Sequence, residues 1–280
     1  MKLVKQMKIT SSPWGFRKTP LINQCRVLQS LGMQYICGQF FAGEVGLFNP
    51  DIGSEDIDKT LQTIQSFGLQ YASFNVNGDF MVRQGLDEEV RRCCSEIDQA
   101  AQFKPEVIIL FAGWQDRSDD AVYDQVIAAL QTVCRHAAGY GLTVALENHG
   151  GLTTTSEQCN RILHGVGEPN IGLNYDAANF EFYGIDPFQA LCSLSVPIVF
   201  THFKSVRLTA GGGREYCRLR DGYIDYEPII KELKLRDYDG FWAAEYEEPA
   251  DVVEGTSDDL DSLKELLGVN FRERSCHGCL

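Results

Sequence analysis

The chain has 280 residues, 44% of them hydrophobic, and its 39 acidic and 25 basic residues give a formal charge of −14. This length suits one barrel-sized domain, and the acidic balance excludes nucleic acid and anionic membrane surfaces as partners while leaving small molecules open. No run approaches the roughly 18 apolar residues of a membrane span, the basic start MKLVKQMKITSS lacks a secretory apolar segment, and the ten cysteines are scattered like free thiols, so a cytoplasmic protein is expected.

Eight strand-then-helix units follow one another. Short apolar runs predict strands near residues 7–10, 33–37, 69–75, 106–112, 143–148, 171–176, 198–203 and 241–246. Thr19-Pro20 offers an N-cap and a proline at the first helical position for a helix carrying Leu21, Cys25 and Leu28, closed by Gly32. Ser54, with Glu55 and Asp56, suits the positive start of a helix whose stripe is Ile57, Leu61 and Ile64, ending at Gly68. Ser118 opens a helix with Val122, Val126, Leu130 and Val133. Residues 205–222 form the longest irregular stretch and read as a mobile loop, with Arg218 and Arg220 on its solvated face. Ser257 opens the last helix, with Leu260, Leu263 and Leu267 before Gly268. Residues 269–280 read as a tail outside the core, where Cys276 and Cys279 are incidental thiols.

Strands alternating with amphipathic helices give an α/β fold with a parallel sheet. Eight units favour closure into a single-domain (β/α)8 barrel over residues 1–268, with an open doubly wound sheet as the alternative.

Four polar residues stand alone at the ends of the late strands. They are Glu147 in VALENHGG, Asp176 in IGLNYDAANF, His202 in VPIVFTHFKS and Glu245 in GFWAAEYEEP. In a closed barrel these ends converge on one mouth, where three carboxylates and an imidazole need a cation to hold them. Oxygen-rich ligands favour manganese, magnesium or cobalt over a thiolate-loving zinc site. Each residue also has a plainer reading: Glu147 paired to a buried lysine, Asp176 as a helix cap, His202 in the core, Glu245 among the solvated acids Glu247 and Glu248. His149 lies two residues beyond Glu147 and shares its face; Lys204 shares that of His202. Gly150-Gly151 permit a tight turn and close approach of a substrate. Asn174 and Asn179 concentrate polar groups around Asp176. Trp14 and Trp114 fit either apolar walls against a sugar ring or caps on the core.

The motifs ALENHGG, NYDAANF, THFKSVR, LRDGYIDYEPII and YDGFWAAEYEEP, in this order, resemble the xylose isomerase-like TIM barrel superfamily, in particular the sugar phosphate isomerases/epimerases, and residues 7–268 fit its layout. The resemblance implies that Glu147, Asp176, His202 and Glu245 bind one divalent ion, Mn2+ foremost, with Mg2+ or Co2+ as alternatives. It implies an isomerase or epimerase of a sugar, sugar phosphate or polyol ketone that works by proton transfer through a metal-bound enediolate. Glu147 and Glu245 are then the acid–base pair and His149 a second candidate base. Lys204, Asn179, Trp14 and Trp114 are the substrate contacts; Asn179 stands where ketohexose epimerases carry a histidine, and Lys204 replaces a histidine of some relatives. One alternative is a carbon–carbon lyase resembling the large subunit of C-glycoside deglycosidases, with a small partner subunit and with Trp14, Phe40, Phe41 and Trp114 around an apolar aglycone. Another is a non-catalytic barrel that keeps its metal. Apurinic-site endonucleases share the barrel, but five histidines cannot supply their histidine-rich trinuclear site. The expected partner is a small sugar, and homo-oligomerisation is left open.

Overall fold

The computed structural model describes residues 7–115 and 118–269. Seven parallel strands come first: β1 (Lys8–Ser11), β2 (Tyr35–Gln39), β3 (Gln70–Asn75), β4 (Val107–Leu110), β5 (Thr143–Glu147), β6 (Ile171–Asp176) and β7 (Ile198–Phe203). An antiparallel hairpin, β8 (Ser205–Leu208) and β9 (Arg214–Cys217), precedes the last parallel strand, β10 (Phe241–Ala244). The helices are α1 (Leu21–Ser30), α2 (Ser54–Ser66), α3 (Leu86–Gln102), α4 (Asp120–Ala138), α5 (Ser156–Val166), α6 (Ala177–Phe182), α7 (Pro187–Ser193), α8 (Tyr226–Leu235) and α9 (Val252–Leu267).

The eight parallel strands lie in the order β1-β10-β7-β6-β5-β4-β3-β2. At the seam between β1 and β2 the Thr10 hydroxyl donates to the Tyr35 carbonyl at 3.1 Å. The sheet is therefore a nearly closed (β/α)8 barrel rather than an open doubly wound sheet.

Strand alternation decides what fills the barrel. Cys37, Val107, Ala145, Phe200, Phe241 and Ala243 point into the lumen and belong to one small core cluster, while the larger cluster packs strands against helices. Two residues beyond Ala145, Phe200 and Ala243 on the same faces stand Glu147, His202 and Glu245. An apolar plug below and a polar layer above thus come from one period-two pattern.

Several boundaries differ from expectation. Pro20, not Thr19, occupies the N-cap of α1, with no side-chain cap bond. Gly53 precedes α2, so Ser54 is its first residue. Asp119 caps α4 in place of Ser118, accepting from the Val122 amide at 3.1 Å; an anionic oxygen is the better partner for exposed N–H groups at a helix start. The last helix begins at Val252, because that buried side chain packs against Phe16 and Val27; Ser257 lies inside it and donates to the Val253 carbonyl.

The stretch 205–222 is ordered rather than a loop. After the β8–β9 hairpin, a short 3-10 turn, Leu219–Asp221, is tied to α9: the Leu219 amide donates to Asp259 and Arg218 reaches Asp251 and Asp258. Arg218 is therefore a fastener, while Arg220 reaches Ser262 from the surface. Val269 packs against the core, which moves the expected edge of the tail by one residue; residues 270–280, with Cys276, His277 and Cys279, lie outside the described residues. The eight described cysteines are free thiols. No helix among the described residues is long and apolar enough to cross a membrane.

Candidate metal centre and catalytic pocket

The C-terminal strand ends surround a cavity of about 570 Å³. At its floor Glu147, Asp176, His202 and Glu245 bring one ligand atom each to within 4.8 Å of one another, all buried. Backbone register explains the convergence. Asp176 on β6 pairs with His202 on β7, and His202 pairs with Ala243 on β10, one pleat below Glu245. Glu147 on β5 pairs with Asn174 on β6. Glu245 lies one residue beyond β10, yet its amide still donates to the Phe203 carbonyl at 2.8 Å, so the pleat continues.

The three carboxylate residues are held from behind. Asn174 Nδ2 donates to one Glu147 oxygen at 2.9 Å and Asn179 Nδ2 to the other at 3.1 Å. Ser12 donates to Glu245 Oε1 at 2.7 Å. Asn148 clamps the backbone of Asp176 through its N–H and C=O, 2.8 Å each. Asp176 carries two roles: Oδ1 caps α6 by accepting the Asn179 amide at 3.0 Å, and Oδ2 is left facing the cluster. The capping role foreseen for an aspartate after a strand is thus real and uses only one of its oxygens.

Lys204 enters the same layer one residue after β7. Its buried ammonium lies 2.8 Å from Glu245, 2.6 Å from Glu247 and 3.1 Å from Asp176 Oδ2. The last contact is an ion pair without an aligned hydrogen bond, since Oδ2 lacks a donor. The Tyr216 ring, from the hairpin, lies 4.3 Å from Nζ, and the Tyr226 hydroxyl donates to the Lys204 carbonyl.

The electrostatics are those of one coupled group. Burial opposes a charged Lys204, but Asp176, Glu245 and Glu247 hold its pKa well above the ordinary value. Burial likewise opposes a charged His202, and the carboxylates of Glu245 and Glu147 override it, raising its pKa. Glu245 moves the other way: burial would raise it, yet His202 and Lys204 keep it well below the usual carboxylate range. Asp176 is pushed up to about 7, chiefly by burial, against the pull of Lys204.

A divalent ion fits this donor set. Three carboxylates and one imidazole converge on one point, and Asp176 Oδ2, ion-paired with Lys204 but accepting no hydrogen bond, faces the same point. The set contains no thiolate; Cys37 is the nearby sulfur, and burial raises its pKa.

Of the other sequence candidates, Trp14, Trp114, His149 and Lys204 line the cavity. The His149 ring meets Phe111 and Trp114 edge-on, with centroids 5.1 and 5.4 Å away. Asn179 is not in the cavity lining: it is buried, with its amide nitrogen on Glu147 and its oxygen accepting from Tyr216 at 2.7 Å. It stands behind the carboxylate instead of meeting a substrate. Phe40 is fully buried against Phe74, whereas Phe41 lines the cavity. The close approach at Gly150, where φ is +89°, is made by Tyr183, whose hydroxyl would lie 2.1 Å from an added Cβ.

Sequence reasoning missed Glu247, which reads as a solvated loop acid but shares Lys204. It also missed Gln39, Asn75, Asn77 and Tyr216. For Asn75 and Asn77 a signal existed: in FNVNGD two polar residues two apart follow an apolar strand, the same pattern as Glu147 and His149.

A nearly closed parallel barrel with a buried carboxylate–histidine cluster at its C-terminal mouth defines the class of protein. The chain belongs to the xylose isomerase-like TIM barrel family, whose profile matches residues 25–266. An inosose dehydratase of Lactiplantibacillus plantarum is 25% identical, over 88% of this chain and 91% of that protein. Among solved structures, the probable 3-DHS dehydratase AsbF of Bacillus anthracis has a TM-score of 0.76 at 20% identity, covering 92% of this chain and 99% of its own. A D-tagatose 3-epimerase-like protein also reaches 0.76, at 17% identity, covering 94% of this chain and 97% of its own.

Proposed function

We propose that the protein is a divalent-metal-dependent enzyme that removes a proton from the carbon beside a carbonyl group of a polyhydroxylated small molecule and returns it elsewhere, as a sugar isomerase or epimerase. One observation carries this reading. Glu147 and Glu245 reach one cavity from β5 and from beyond β10, with β6 and β7 between them, so that two carboxylates of the cluster face the same space from different strands. Proton removal on one face and return on another need such a pair.

Glu147, Asp176, His202 and Glu245 would hold the ion, with Mn2+ favoured and Mg2+ or Co2+ next. When bound, it polarises a carbonyl and acidifies the neighbouring C–H. The chain's own residues do the rest. Asn174 and Asn179 fix both oxygens of Glu147 with N–H donors, which orients the carboxyl group. The low pKa of Glu245 keeps it ionised. Lys204 brings fixed positive charge to where an oxyanion develops. His149, exposed at the cavity wall, is a further proton-transfer group. Trp14 and Trp114 offer apolar surface to a ring.

A second reading is dehydration, in which the same proton removal is followed by loss of a hydroxyl from the next carbon. Lys204 favours it, because an ammonium held protonated by three carboxylates can assist the departing oxygen. The name of the L. plantarum relative agrees with this reading.

Metal-loaded protein incubated with ketoses and inososes in deuterium oxide tests both. Solvent deuterium on the carbon beside the carbonyl, with composition unchanged, is the expected result. Loss of water from the labelled compound would favour the dehydratase. Absence of exchange from a protein that binds both metal and ketose would overturn proton transfer and leave a binding barrel.

A further inference from the structure

We infer that Asn77 is a specificity-determining residue, whose side-chain oxygen accepts the O–H of one hydroxyl group of the substrate at the end turned away from the metal cluster. This rests on the reading of the site as a proton-transfer centre for a polyhydroxylated carbonyl compound. It names the residue that decides where such a compound must carry a hydroxyl.

The first observation is position. In the strand order β3 lies across the barrel from β7, so its end faces the cluster from the far side of the mouth. The Val76 amide still donates to the Ile109 carbonyl at 3.0 Å, and the Val76 side chain packs into the larger core among the helices. Asn75 and Asn77, on either side of it, therefore turn the other way, and both line the cavity.

The second observation is that the Asn77 amide is locked. Nδ2 donates to the Phe40 carbonyl and to Glu96 Oε2, both at 3.0 Å, and the Asn77 backbone N–H donates to the same Glu96 oxygen at 2.7 Å. Two acceptors on one side of an amide require its nitrogen there, since an oxygen would meet a carbonyl and a carboxylate. Glu96 is itself fixed: it is buried on α3, and Arg92 donates to its other oxygen at 2.9 Å. What Asn77 has left for a ligand is Oδ1, an acceptor that no described residue uses and that is not sealed from solvent. Donation from Nδ2 to two acceptors also strengthens that oxygen as an acceptor.

The neighbours of Asn77 complete the patch. Gln39 and Asn75, paired across β2 and β3, turn their amide oxygens into the protein, so the polar atoms they offer the cavity are N–H donors. A hydroxyl group meets such a patch with both of its functions: its proton goes to Asn77 and its oxygen receives an N–H. An ammonium group has no lone pair for the donors, and a carbonyl has no proton for Asn77. A ligand that covers Asn77 without donating excludes water and leaves Oδ1 unpaired, which is how a polar site rejects an analogue lacking its hydroxyl.

Calorimetry on the metal-loaded protein with D-fructose, scyllo-inosose and the monodeoxyfluoro analogues of each tests this. Fluorine keeps the approximate size of a hydroxyl but has no proton to give. For the tighter-binding parent ketone, one analogue should bind roughly tenfold more weakly than the parent, or worse. Asn77→Ala should bring that one ratio close to unity and leave the ratios at the other carbons unchanged, whereas a structural role would move them all together. Glu96→Gln keeps Asn77 but lets its amide turn over, and should lower the same ratio by about threefold even if the alanine variant does not fold. Absence of any such weakened analogue, a ratio that survives Asn77→Ala in folded protein, ratios that all shift together, or binding of neither ketone would overturn the inference. Deuterium exchange in the same samples separates the two readings. Exchange without the selective ratio overturns the role of Asn77 and keeps proton transfer, whereas the selective ratio without exchange does the reverse.

Discussion

The mouth of this barrel has two unlike halves. Strand ends of β1 to β4 supply Trp14, Gln39, Phe41, Asn75, Asn77 and Trp114, none of them ionisable. The ends of β5, β6, β7 and β10 supply Glu147, Asp176, His202, Lys204, Glu245 and Glu247. The charged half is tightly interlocked, since every buried ion there leans on a neighbour of opposite sign. The neutral half leaves rings in water and the Asn77 oxygen without a donor. One half is organised around chemistry, the other around what the ligand must bring.

The comparison breaks first at Lys204. With chelator present, Lys204→Met strands Asp176, Glu245 and Glu247 without their ammonium and should cost about 3–5 kcal/mol of stability. Excess divalent ion should restore part of that loss, because a ligand that binds only the folded state stabilises it. Unfolding curves with and without metal check this; an unchanged midpoint in chelator would mean that the carboxylates do not depend on Lys204.

His149 lies at the border between the halves. His149→Ala should leave metal content unaltered and lower kcat roughly a hundredfold. Unchanged turnover would confine proton transfer to the two glutamates, and loss of metal would move His149 into the charged cluster.

Asp259 supplies a contrast outside the mouth. It is a fully buried carboxyl with the Leu219 amide as its partner, and burial pushes its pKa up to about 7. A carboxyl raised in the fold takes up a proton on folding, so its contribution is lost as pH rises from about 4 through 7. Asp259→Asn keeps the acceptor for Leu219 and should stabilise the protein by on the order of 1–3 kcal/mol at pH 8, with the gain vanishing near pH 4. Equal gains at both pH values in urea titrations would show that Asp259 is ionised in the fold.

The smallest effect is expected at Tyr216. Its hydroxyl sets the Asn179 amide, which in turn holds Glu147. Tyr216→Phe removes one hydrogen bond worth about 1 kcal/mol and should lower kcat several-fold with KM nearly constant. An equal rise in KM would make Tyr216 a substrate contact.

The two halves were also unequally legible in the sequence. Glu147, Asp176, His202 and Glu245 stood out because an isolated charge after an apolar strand has few structural explanations. Gln39 did not, because a lone amide at a strand end serves equally as core or cap. Glu247 and Tyr216 were hidden for another reason: their partner Lys204 lies 43 and 12 residues earlier in the chain, so only tertiary packing pairs them. The hairpin was missed because glycines at 211–213 and mixed charges obscure the alternation of two four-residue strands. Helix starts moved wherever a carboxylate or a buried apolar residue outcompeted a serine, as at Asp119 and Val252.

The most direct test of the charged half as a metal centre is metal analysis of purified, reconstituted protein beside the Glu147→Gln/Asp176→Asn double variant. The wild type should hold about one divalent ion per chain, since one four-residue set converges. The folded double variant should hold essentially none. Full occupancy in that variant would contradict the assignment.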